Sequence, residues 1–352
     1  MLRRILRDIL RHDWSETRAV SSLPCVVAIA ICLTVGLAIH QPLIGMVAAS
    51  GAMSVGFGSF QRLGRSRIQP MLWASIGMAL FTAAGSLSSH SLILLALNAA
   101  VVGLFYGLMT AVSGGSAWIS LQCGIFALVA TAYPASLPLI IGRASLILIG
   151  GLLQLVLVSF FRRIHVGFNA SVPADTYSGL GPSLRTLRAH LGWHSDPFRY
   201  AVRLAATLTV ATIIAHQLAL PNGYWVPMTA LLVLRTNLHE TLTRGLARML
   251  GTIVGAGLAT LLVSFVRPGP ATLAALVVLF AWLCYSTVTV SYGTLSASVT
   301  AYVACLLALG GLPEKDVALH RVANTCLGGA LALLMSFVSA RFSRTDARAI
   351  TT

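Results

Sequence analysis

The tract YWVPMTALLVLRTNLHETLTRGLARMLGT (224–252) opens as apolar as a membrane helix. It then places Arg235, Arg244 and Arg248 where apolar residues would be expected to continue. Arginine at such positions suits one kind of chemistry: its planar guanidinium stays charged and pairs with carboxylates through parallel hydrogen bonds. Arg235 lies eleven residues beyond Tyr224, roughly 16 Å along a helix, against a hydrocarbon layer of about 30 Å. A charge at that depth must reach the headgroups, find a partner, or line a wet passage. Two readings stay open: Arg235 snorkels from a short, tilted span, or it faces a water-filled path for anions. His239, at i+4 from Arg235, and Glu240, four residues before Arg244, would share helical faces with them. Arg248 precedes Gly251, Gly255 and Gly257, which permit close helix approach. It either anchors the span or holds a carboxylate at the inner mouth.

Other residues join this set. Arg143 and Arg321 each start an apolar run from the side that otherwise carries few basic residues. They serve either as interface anchors or as an outer part of the anion path. Tyr224 and Trp225, with Trp282 and Tyr285, would stack an aromatic solute or anchor span ends at the interface. His40, His216 and His239, with Glu240, are the candidates for proton coupling, because imidazole titrates near neutral pH. A helix-end role is the alternative for His40 and His216. The nine acidic residues fall in loops or at ends, and no G-x-x-x-x-G-K-[ST] or H-E-x-x-H occurs. No enzyme, cofactor or metal site is expected. The six cysteines lie inside apolar segments without a C-x-x-C pair and read as packing residues.

The elements that must position these residues follow from composition. The chain has 352 residues, 57% hydrophobic and 9% charged, with a net charge of +15. That charge cannot cover a globular surface, where about 25% is usual; lipid is the expected solvent. Runs of about 20 apolar residues occur at roughly 19–40, 42–60, 70–88, 91–109, 116–133, 139–161, 199–219, 222–238, 247–266, 271–290, 293–311 and 320–340. Backbone groups in lipid must be satisfied internally, so the fold class is all-α and polytopic, with about twelve transmembrane helices. With the N-terminus inside, 20 of the 24 basic residues fall on the cytoplasmic side and only Arg143, Arg267, Lys315 and Arg321 outside. This predicts cytoplasmic N- and C-termini. The excess of positive charge therefore reports topology, and no nucleic-acid partner is expected. Residues 1–18 read as a basic amphipathic helix at the lipid interface.

The chain also repeats itself. His40-Gln41 recurs at His216-Gln217, Arg143 with Gly150-Gly151 recurs at Arg321 with Gly328-Gly329, and Ser159-Phe160 recurs at Ser336-Phe337. The offsets are 176, 178 and 177. Two parallel six-helix repeats, 19–161 and 199–341, thus flank a cytoplasmic linker, 162–198, and a tail, 342–352, follows. At an offset of 177, Arg248 falls on Met71 and Arg235 on Gly58, so a single anion site would come from the second half. The Gly/Ala/Ser-rich 45–60 and the matching span with Pro227 are candidate interrupted helices, the pattern that marks binding sites between transporter repeats.

The segments FRYAVRLAATL (198–208), YWVPMTALLVL (224–234), RGLARMLGTIVGAGLA (244–259) and RVANTCLGGALALL (321–334) resemble the fusaric-acid-resistance-like family of integral membrane transporters. That family includes exporters of aromatic carboxylic acids, and its six-span unit is similar to the plant aluminium-activated malate channels. The resemblance implies a multi-pass protein of the bacterial inner membrane that exports small organic anions, of an aromatic or hydrophobic carboxylate class. A passive organic-anion channel is the alternative, and a non-transporting structural or enzyme-partner protein is the second. The expected partners are the anion, the lipid bilayer and, as an open alternative, further copies of the chain. The family's large exporters carry a long soluble domain between their halves; here only 162–198 intervenes.

Overall fold

The computed structural model describes residues 13–164, 174–311 and 314–349, with the side chains of 314–317 and 340–349 left aside. The interfacial helix expected over 1–18 therefore lies mostly outside the described residues, except for a 3-10 turn at Trp14–Glu16. Thirteen α-helices follow: α1 (Leu23–Ala38), α2 (Pro42–Gly56), α3 (Gln69–Ser88), α4 (Leu92–Met109), α5 (Gly114–Ala130), α6 (Leu137–Ile164), α7 (Leu180–His190), α8 (Asp196–Gln217), α9 (Trp225–Val233), α10 (Leu238–Val266), α11 (Pro270–Thr287), α12 (Tyr292–Leu309) and α13 (Glu314–Ala349). Nine helical segments among the described residues are long and apolar enough to cross a membrane, and α1 and α5 are shorter apolar helices. The protein is an all-α polytopic membrane protein.

Local chemistry sets where these helices begin. Pro24, Pro42, Pro70, Pro197 and Pro270 stand in first turns, where a missing N–H costs nothing. Ser91, Ser113 and Ser291 accept the N–H three residues on and cap α4, α5 and α12. Outward-facing Ile93, Leu97, Val254, Leu258, Leu261 and Phe265 are exposed, as lipid-facing side chains must be.

The repeat is visible in the packing. Gly150 of α6 lies against the carbonyl of Ala48 in α2, and Gly328 of α13 lies against the carbonyl of Val226 in α9. Both members of that contact are displaced by 178. Ser113 and Ser291 keep the same offset. The two halves meet chiefly along two seams, α4 on α8 and the equivalent α11 on α1, with a smaller contact of α9 on α5. The first seam is the closer one. Gly103 and Gly107 lie one turn apart on α4, against Ala205 and Ala201 of α8, so the backbones nearly touch.

One element of the repeat has slipped. Gly85 of α3 meets the carbonyl of Ala127 in α5, and Gly255 of α10 meets that of Ala297 in α12. Both members of this pair differ by 170. In the second half the crossing is therefore about two helical turns nearer the face that carries the 13–22, 61–68 and 234–237 segments.

Two boundaries differ from the reading of the sequence. The span expected over 222–238 is helical only from Trp225 to Val233, and Leu234 is extended. The next helix starts at Leu238, nine residues before the expected 247. The break does not come from Pro227, which sits in the first turn of α9. It comes from Asn237, whose side chain caps α10 by accepting the Glu240 N–H at 2.8 Å. The freed carbonyls of Leu234, Arg235 and Thr236 accept from Tyr200 Oη at 3.1 Å and from Arg203 Nη2 at 2.6 and 3.1 Å. Within the interval 162–198, read as a polar linker, α7 is an amphipathic helix with Leu180 and Leu184 exposed, as is Leu191 at its C-cap. Asp175 ties the start of this interval down by accepting the N–H groups of Gly64 and Gly115.

Candidate functional site

Four helices of the second half each contribute two polar side chains spaced by four residues: Trp225 and Thr229 from α9, Arg248 and Thr252 from α10, Ser296 and Thr300 from α12, Arg321 and Thr325 from α13. All eight are buried. The spacing of four stacks each pair on one face of its helix. The slipped α10–α12 crossing sets Ser296 against Gly251 and Thr300 against Gly255. As a result, Arg248 Nη1 reaches Ser296 Oγ at 3.4 Å and Arg321 Nη2 reaches Thr300 Oγ1 at 3.3 Å.

The two guanidiniums are 4% and 1% exposed. Neither has an acidic partner among the described residues. Arg321 is further held by Trp225, whose ring centroid is 3.8 Å from its Cζ. Arg248 Nε, Arg321 Nε and Nη1, Trp225 Nε1, Thr229 Oγ1, Thr252 Oγ1 and Thr325 Oγ1 are buried without a hydrogen-bond partner among the described residues. Burying a charge unpaired costs several kcal/mol even after relaxation, on the order of 2.5–3.5 kcal/mol on insertion scales for a mid-membrane arginine. A constellation of donors around two unpaired cations is what a carboxylate or similar oxyanion would satisfy.

A second cluster lies between this pair and the arginine-rich face. Arg235 Nη1 donates to Tyr106 Oη at 2.8 Å, joining the two halves. Arg244, one turn before Arg248 on α10, lies over the ring of Tyr292 at 4.4 Å. Arg203 lies over Tyr200 at 5.7 Å. On the opposite, far face, a cavity of about 270 Å³ is lined by both halves, including Tyr133, Thr212, His216, Asn222 and Tyr224.

The residues singled out in the sequence are distributed as follows. Arg235 points back into the protein toward Tyr106 rather than out to the headgroups. The i+4 relation of His239 to Arg235 does not exist, because the chain between them is not helical. Glu240 Oε1 accepts from Asn237 at the α10 cap, so it does not pair with Arg244. Arg321 is not at an interface but inside the bundle, whereas its repeat mate Arg143 is half-buried and donates to the carbonyl of Tyr133 at 2.6 Å. His40 and His216 are both exposed at the far face. Trp282 donates to the carbonyl of Ala19 at 2.8 Å and Tyr285 to that of Met53 at 2.7 Å; both pack between the halves. Sequence reasoning missed Tyr106, Tyr200, Arg203 and the hydroxyls. A threonine four residues after a mid-span arginine, at Thr252 and Thr325, was the available signal.

A twofold-repeated helical membrane protein with an arginine column confined to its second half is the class these features define. Residues 210–335, most of that half, match the family described as "Fusaric acid resistance protein-like". It is 30% identical over 148 residues to protein ORF2 of Neisseria gonorrhoeae, covering 42% of this chain and 35% of that one. It is 31% identical over 147 residues to YhfK of Escherichia coli K12, covering 42% and 21%. It is also 31% identical over 159 residues to the inner membrane protein YccS of the same organism, covering 45% and 22%. The chain thus covers well under two thirds of each relative's length. No solved structure matches.

Proposed function

We propose that this protein is a secondary transporter of the inner membrane that exports small organic anions, of the aromatic or hydrophobic carboxylate class, and that it is not an enzyme. The observation that carries the reading is the pair Arg248 and Arg321, buried in the membrane-spanning bundle with no acidic partner among the described residues. The path runs from the arginine-rich face, taken as cytoplasmic, past Arg203, Arg235 and Arg244 and through Arg248 to Arg321. The carboxylate class rests on guanidinium chemistry; the aromatic character rests on the family likeness and on the aromatic rings beside Arg321.

Purified protein in vesicles decides it. Radiolabelled benzoate should accumulate against its gradient when a proton gradient is imposed, and Arg248→Ala should abolish the accumulation. Flux that only runs downhill and ignores pH would make the protein a channel. The absence of flux for a panel of aromatic acids would remove the transport reading.

A further inference from the structure

The far-face cavity and the buried arginine pair share one wall. Tyr133 and Tyr224 line the cavity, with ring centroids 6.4 Å apart. The ring of Trp225 lies behind Tyr224 at 5.0 Å, and beyond it comes Arg321 at 3.8 Å. Trp225 is 4% exposed, and its ring is pressed against the guanidinium, a cation–ring contact strengthened by exclusion of water. The loop that carries Tyr224 is fixed to the same helix: Asn324, three residues after Arg321, donates to the carbonyls of Pro221 and Asn222 at 2.9 and 3.1 Å. Both attachments of the wall thus come from one turn of α13.

We infer that the cavity is the far mouth of the anion path and that Trp225, backed by Tyr224, is the barrier that closes it. This rests on the transport reading for the identity of the traffic, an aromatic carboxylate, but the barrier itself can be read without any flux. The guanidinium edges of Arg321 and the face of Trp225 are chemically distinct. An anion can take the free N–H groups while the ring keeps its place. Opening therefore requires the indole to leave the guanidinium, which it does at lower cost once the cation is neutralised by a bound carboxylate. The cavity contributes aromatic rings, the exposed imidazole of His216 and the amide of Asn222 to receive the leaving solute. The first half offers no second such barrier, because the residue equivalent to Trp225 at an offset of 178 is Val47.

The test uses the full chain in vesicles, with its six cysteines replaced and one cysteine placed at Thr229, a buried position one turn beyond Trp225. A membrane-impermeant thiol reagent is applied from the far face. Trp225→Ala should raise the labelling rate by about tenfold or more, the effect of lowering a barrier by about 1.4 kcal/mol. Trp225→Phe should leave it near the parent value. Asn324→Ala, which frees the loop without removing the ring, should raise it as well and covers the case in which Trp225→Ala does not fold. Labelling that stays at the parent rate in both Trp225→Ala and Asn324→Ala would overturn the barrier. A protein that shows the labelling change but moves no benzoate would keep the barrier and lose the proposed substrate.

Discussion

Arg248 of α10 and Arg321 of α13 rest on Ser296 and Thr300, hydroxyls one turn apart on the single helix α12. Two cations on separate helices are thereby brought to adjacent levels of the membrane with only neutral acceptors between them. Natural bundles avoid that arrangement unless the charges are used, and it yields expectations that differ from those of a structural ion pair.

Removing one of these charges should not weaken the fold. Arg321→Met fills similar space without burying an uncompensated charge, so the thermal midpoint in detergent should stay level or rise by about 2–4 °C. Benzoate should stabilise the parent protein, by about 2.7 kcal/mol at a hundredfold excess over its dissociation constant, and should not stabilise Arg321→Met. A midpoint that falls in the variant, or a ligand shift that survives in it, would return Arg321 to a structural role.

Lysine should not replace arginine here. Arg248→Lys keeps the charge but reduces a planar fork to a point donor, so benzoate accumulation should recover only in part. Full recovery at Arg235, Arg248 and Arg321 together would mean that these residues serve only as charged anchors.

The α4–α8 seam depends on Gly107, where a side chain would enter Ala201 of α8. Gly107→Leu should force the halves apart and lower the thermal midpoint by several degrees, as overpacking of about 1–3 kcal/mol implies. Gly142, with nothing around it, is the control position, and Gly142→Leu should be neutral. Equal behaviour of the two variants would show that the seam is not a rigid contact.

Both termini and the 162–198 interval are expected on the cytoplasmic side. A single cysteine at the exposed Ser178 should resist an impermeant thiol reagent in intact cells and react after lysis. Reaction in intact cells would invert the whole arrangement.

Much of the architecture was legible from residue order. Long apolar runs specify helices because lipid leaves backbone groups no other partner, and these runs lie within a few residues of the helices at α3, α4, α8, α11 and α12. The duplication was legible too, since Arg143-Gly150 and Arg321-Gly328 keep their spacing in both halves. These are local properties, carried by each segment wherever it packs. What only the tertiary structure decided is which charge is enclosed. Arg143 and Arg321 are repeat mates, each followed seven residues later by Gly-Gly, yet one caps a carbonyl at the far face and the other is sealed against Trp225. The end of α9 at Val233 was legible only in part: Asn237 and Glu240 mark a helix start, but the loose carbonyls before it are satisfied by Tyr200 and Arg203 from another helix. The slipped crossing of α10 on α12 completes the site, and it depends on where Gly251 and Gly255 meet a distant helix. Apolar length belongs to a segment, but the burial of a guanidinium belongs to the set of helices around it.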